Sequence, residues 1–194
     1  ADVARGEYYW AAANGPLSMW SALNDFDAVC SVCQAPGRSW SLTVAGRDDC
    51  PDSFVVDYSG YLMSETFNAA GRTEHICVDS TAEGVADSGA ADNSGALYSV
   101  EAFGVAGYTD NFEITCAQCS SDAGPVYVRW GRSTCPVAAT LLYAGRTAGA
   151  HFNDAGGGHE YKCLHSLPQY GDSTATQESP GGRLYRTEYA TDEK

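Results

Sequence analysis

Eight cysteines fall into two sets with almost the same spacing, and this frame limits what the chain can fold into more than any other feature. The first set is Cys30, Cys33, Cys50 and Cys77, at intervals of 3, 17 and 27. The second is Cys116, Cys119, Cys135 and Cys163, at intervals of 3, 16 and 28. Other residues keep a step of 85 to 87. GRDDCP (46–51) matches GRSTCP (131–136), Tyr58-Ser-Gly60 matches Tyr143-Ala-Gly145, and Phe67-Asn68 matches Phe152-Asn153. GALYSVEAF, starting at Gly95, matches GRLYRTEYA, starting at Gly182. So many coincidences at one step indicate a tandem duplication.

The segments between cysteines read as β. WSLTV (40–44) and VYVRW (126–130) alternate as half-buried strands do, and FVVDYSGYLM, FEITCAQC, EYKCL and RLYRTEYA are rich in β-branched and aromatic residues. Only PLSMWSALNDF (16–26) has a helical spacing. The expected fold is all-β: two tandem disulfide-stabilised β modules related by internal duplication. The expected divisions are a 1–27 N-terminal arm with a strand and a possible short helix, a first cysteine-rich β repeat over 28–104, and a second over 105–194. Small-residue acidic loops at 80–96 and 170–182 occupy the same place in each repeat and are expected to be its mobile parts.

An even cysteine count at repeating intervals reads as a disulfide framework formed in an oxidising compartment. Zinc is the rival, since CxxC is half a zinc site and His75 and His159 lie near the last cysteine of each set. Yet the histidines do not align between the repeats, as the ligands of a duplicated metal site would. No metal or other cofactor is expected. Residues three apart on an extended strand face opposite ways, so Cys30 and Cys33 should reach different partners, as should Cys116 and Cys119. All eight cysteines are expected to be bridged within their own set, in one of two pairings.

A formal charge of −14 disfavours nucleic acid and anionic membrane surfaces as partners. No run of 18 apolar residues occurs, so no membrane span is expected. The opening ADVARGEYYW lacks the apolar stretch of a signal peptide and reads as a processed N-terminus; with the cysteine framework, a secreted, extracellular protein is expected. No Asn-x-Ser/Thr sequon occurs, and N-glycosylation is not expected.

Hydrolase, metalloprotease, phosphate-loop and dinucleotide motifs are absent, as are EF-hand loops. HFNDAGGGHE (151–160) is the richest polar cluster, but its counterpart TFNAAGRTEH lacks His151 and Asp154, and a solvated turn is the simpler account. No enzymatic activity is expected. Twelve Tyr and four Trp suit contact surfaces. Arg47 and Tyr58, with their counterparts Arg132 and Tyr143, are the candidate ligand-binding residues. The simpler reading makes the arginines loop caps and makes Trp40, Trp130, Tyr58 and Tyr143 core. The Glu-aromatic strand occurs near residues 101 and 188 and more faintly at Glu7, so one such strand is left over for two cysteine sets. Tyr8, Tyr9 and Trp10 at one end, and Leu184, Tyr185 and Tyr189 at the other, mark the candidate assembly strands.

CxxC, GRxxCP, Tyr-x-Gly, a Gly/Ala-rich turn, Cys and Gly-x-Leu-Tyr-x-x-Glu follow one another in this chain. YVRWGRSTCP, LLYAGRTAGAHF and VDYSGYLM complete a pattern that resembles a group of secreted invertebrate cysteine-rich tandem-repeat proteins, often labelled short-chain collagen-like. No Gly-X-Y tract exists here, so no collagen helix is implied. The resemblance implies an extracellular, cysteine-rich, non-enzymatic protein. The expected function is structural or adhesive, with head-to-tail self-assembly by terminal strand exchange. The alternative is a lectin-like protein with one glycan site per repeat. Expected partners are therefore copies of the chain itself, or extracellular glycan and matrix.

Overall fold

The computed structural model describes residues 6–9, 23, 26–68, 70, 73–85, 95–137, 139–151, 153–156, 160–169 and 182–187. Among these the fold is all-β. Its strands are β1 (Gly6–Tyr9), β2 (Trp40–Ala45), β3 (Val55–Ser64), β4 (Ile76–Asp79), β5 (Gly95–Phe103), β6 (Thr115–Ser121), β7 (Gly145–Gly149), β8 (Lys162–His165) and β9 (Gly182–Arg186). The helical spacing at 16–26 falls mostly outside the described residues.

The strands form one nine-stranded mixed sheet in the order β1-β5-β9-β7-β8-β2-β6-β3-β4. A further pairing, Met63↔Ser99 and Ser64↔Tyr98, joins β3 to β5 and curls the sheet back on itself. The curled face encloses the main core. Each strand of the ring contributes to it: Ala45, Leu62, Val100 and Ala102, Cys116, Ala148, Leu164 and Leu184. A closed ring of strands leaves few edges, and its inward positions alternate with outward ones along each strand.

Two separate modules were the expectation, and the structure corrects it: β6 carries the second CxxC yet lies between β2 and β3 of the first cysteine set. It pairs antiparallel with β2 from Trp40↔Ser121 to Ala45↔Cys116, and with β3 from Val55↔Ser120 to Tyr61↔Thr115. Buried on both faces and paired on both edges, TCAQCSS is the most enclosed strand of the sheet.

Its position decides the disulfides, which also differ from expectation. Cys116 faces the main core and bridges Cys77, while Cys119 faces the opposite side, with Val44 and Ala117, and bridges Cys50. The alternation argument holds for this CxxC. The partners, however, belong to the other set, because the strand that reaches Cys50 and Cys77 comes from the other half of the chain. Cys30, Cys33, Cys135 and Cys163 are not bridged.

The two halves share several registers. Met63↔Ser99 between β3 and β5 corresponds, at the sequence step, to Ala148↔Arg186 between β7 and β9. The amide of Ser80 donates to the Ser59 carbonyl, as that of Ser166 does to Ala144. Both GRxxCP loops begin on a glycine of positive φ, 96° at Gly46 and 81° at Gly131, which explains why glycine opens both. The halves part company at VYVRW. Residues 126–130 form no strand, although WSLTV at the matching place is β2. β2 has β6 beside it; among the described residues no strand lies beside 126–130. Trp40 and Trp130, expected in the core, are 43% and 50% exposed.

Candidate functional site

The segment without a strand partner forms one wall of an open groove of about 700 Å³. The other wall is 140–147, which runs into β7. Leu42 and Phe54 also line it, as do Cys135 and Cys163. The groove is apolar where a strand would lie, since Tyr127, Val128, Trp130 and Leu141 are all between two-fifths and three-fifths exposed. Large apolar side chains gathered on one exposed surface mark an interaction site more often than scattered ones do. Arg129, Arg132 and Arg146 also line it, a cationic cluster on a chain with a net charge of −14.

Its geometry is held by local bonds. The Tyr143 hydroxyl donates to the Cys163 carbonyl at 3.3 Å, and the Tyr143 ring packs on His165. Arg129 donates to the Thr134 carbonyl at 3.0 Å and keeps the wall bent around the GRSTCP turn. Cys135 lies 3.8 Å from the Thr140 carbonyl. Burial pushes the Cys163 thiol up from its ordinary value. Burial also pushes the Tyr143 phenol well up, aided by the neighbouring Cys163. Burial thus favours the neutral form of both groups.

Of the two candidate ligand pairs, Arg132 and Tyr143 both line the groove, whereas Arg47 and Tyr58 do not. Arg47 forks onto Asp49, at 2.5 and 2.6 Å, and donates to the Leu167 carbonyl at 3.1 Å. It ties the GRDDCP loop to the segment after β8, as a loop cap does. Its hydrogen bond holds the Asp49 carboxyl below its ordinary value. The pair's contribution is thus present above the ordinary carboxylate range and is lost as pH falls through the lowered value; on this exposed loop it is small. Tyr58 donates to the Cys77 carbonyl at 3.0 Å, just as Tyr143 does to Cys163, so both hydroxyls serve the fold. Arg132 is exposed on the groove rim. Among the described residues no three His, Cys, Asp or Glu side chains group as a metal site would require, and His159 lies outside them.

The candidate assembly strands lie within the chain's own sheet. Tyr8 and Tyr9 belong to β1, which pairs parallel with β5 from Gly6↔Gly95 to Tyr9↔Tyr98. Leu184 is buried in β9, and Tyr185 stacks on Phe103 with ring centroids 5.4 Å apart. Trp10 and Tyr189 lie outside the described residues. The groove itself was missed in the sequence because VYVRW reads as an ordinary paired strand. The signal available was the duplication: a CxxC segment of one repeat can lie against the strands of its own set or of the other.

No protein-family model matches the chain, nor does any curated protein or solved structure. No described helix is long and apolar enough to cross a membrane.

Proposed function

We propose that this is a non-enzymatic extracellular structural protein, built from two duplicated β repeats, whose chains associate head to tail by strand addition. The open groove carries this reading. It presents a wall that pairs with no described strand, four exposed large apolar side chains and three arginines, and a strand from an acidic neighbour would satisfy all three at once. Main-chain hydrogen bonds supply affinity in strand addition, pockets for alternate side chains supply specificity, and opposite charge speeds encounter. The cysteine frame, together with the resemblance to secreted cysteine-rich repeat proteins, supports the extracellular setting. The glycan-binding alternative is weaker, because Tyr58 and Tyr143 spend their hydroxyls on backbone carbonyls.

Sedimentation of the intact protein over a range of concentrations tests the reading. Species larger than one chain should grow with concentration and continue past the dimer, because donor and acceptor surfaces that differ do not close on each other. A single-chain species at every concentration would contradict it.

A further inference from the structure

The strand-addition reading leaves the donor unnamed, and the register of the sheet supplies it. β6 is a worked example of the donor: it carries a CxxC, lies between β2 and β3, and bridges Cys50 and Cys77 through its two cysteines. At the sequence step, β2 corresponds to 125–130, and β3 to 140–149. Cys50 corresponds to Cys135, and Cys77 to Cys163. These are the two walls and the two unbridged cysteines of the groove. The counterpart of β6 is 29–35, VCSVCQA, whose two cysteines are the remaining unbridged pair.

That segment is built as a donor waiting for an acceptor. It forms no strand. Cys30 and Cys33 are exposed, Val29 is 43% exposed, and Val32 is fully exposed. The positions of β6 that correspond to Val29 and Cys33 are both buried. None of its residues lines the groove of its own chain, and the residues that flank it are tied elsewhere. Ala28 bridges to Gly84, the Arg38 amide donates to the Ala35 carbonyl, and the Arg38 side chain binds Asp57 at 2.8 Å and Ser120 at 2.9 Å.

Whether the acceptor is the same chain or another depends on how the halves are related. β5 and β9 are sequence counterparts, yet they pair in parallel with a slip: Val100 meets Gly182, the counterpart of Gly95. A two-fold axis would have to repeat that contact in reverse, with Gly95 against residue 187, and the parallel register excludes this. The relation is a step, not a swap. β1 shows the same step taken backwards, because Gly6 sits on Gly95 as Val100 sits on Gly182. A step applied once more carries the second groove onto the donor of a following chain.

On this basis we infer that 29–35 of one chain fills the groove of a second copy and is locked there by Cys30–Cys163 and Cys33–Cys135 bridges between chains. The register copied from β6 sets Cys30 between Gly145 and Trp130, and Cys33 between Leu141 and Tyr127. On the same register Val32 lies beside Val128 on the face that holds Cys30 and Trp130, and Val29 takes the opposite face, with Cys33, Tyr127 and Leu141. Each bridge needs an oxidant, a low-molecular-weight disulfide. One cysteine thiolate attacks it, releasing one small thiol, and the facing thiolate displaces the second from the mixed disulfide. Two protein thiols give up two electrons and two protons, and the oxidant leaves as two thiols.

The test uses full-length chains and oxidised glutathione. C30S/C33S retains only the acceptor, and C135S/C163S retains only the donor. Neither alone should give disulfide-linked species on non-reducing gels. Their mixture should give linked species that stop at two chains, while the parent protein gives a ladder. Peptide mapping of a mixture of isotope-labelled and unlabelled parent chains should show Cys30–Cys163 and Cys33–Cys135 joining heavy to light; this arm stands even if a groove variant fails to fold. Bridges confined to one isotope, or heavy–light bridges between other cysteines, would overturn the inference. Large assemblies without these bridges would overturn it while leaving strand addition intact, and single chains throughout would overturn both.

Discussion

Replacing Gly60 by alanine is expected to cost at least about 3 kcal/mol, and replacing Gly145 a similar amount, both as a lower urea midpoint with an unchanged slope. A Cβ on Gly60 would lie 1.8 Å from the Val78 carbonyl oxygen and 2.7 Å from the Ser80 amide nitrogen. On Gly145 it would lie 2.1 Å from the Leu164 carbonyl oxygen and 2.9 Å from the Cys163 sulfur. These neighbours are mostly backbone of a paired strand, β4 in one case and β8 in the other, so relief requires moving the strand. Loss of β8 from β7 would also displace Cys163 from the groove. A change within about 1 kcal/mol of the parent, the ordinary range of mild substitutions, would show that the strands do not approach this closely.

Breaking either observed bridge is the second large effect. Cys77–Cys116 closes 39 residues and Cys50–Cys119 closes 69. In the chain-entropy model each contributes about 4 kcal/mol, through restriction of the unfolded chain. For a chain of this size, removing one bridge as a double serine variant should lower the melting temperature by roughly 8–16 °C. C30S/C33S removes exposed, unbridged thiols and should leave the melting of the single chain unchanged. Equal losses from C30S/C33S and C50S/C119S would mean that the bridges are not distributed as described.

The two predictions separate what could be read in the sequence from what could not. The paired Tyr-x-Gly and GRxxCP motifs were legible because their causes are local: a backbone crossing that admits no Cβ, and a turn that needs positive φ. Alternation in WSLTV, and the β-branched and aromatic residues of FVVDYSGYLM, gave β2 and β3 for the same reason. It also placed Cys116 and Cys119 on opposite faces. Strand neighbours are a different matter, because alternation fixes which face a side chain takes and is silent on which strand lies alongside. Here duplication deepens the ambiguity. Cys50 and Cys135 stand in nearly the same hexapeptide, so a CxxC strand meets the same local chemistry within its own half or across the chain. The exposure of Trp130 follows from the same cause: VYVRW has the residues of a strand, and no described strand lies beside it.

The most direct measurement is a peptide map of the single-chain species under non-reducing conditions, with free thiols blocked before digestion. The account predicts Cys50 linked to Cys119 and Cys77 linked to Cys116, with Cys30, Cys33, Cys135 and Cys163 recovered as blocked thiols. Cys50 or Cys77 linked to Cys30 or Cys33 would contradict it, because β6 would then not be the strand between β2 and β3.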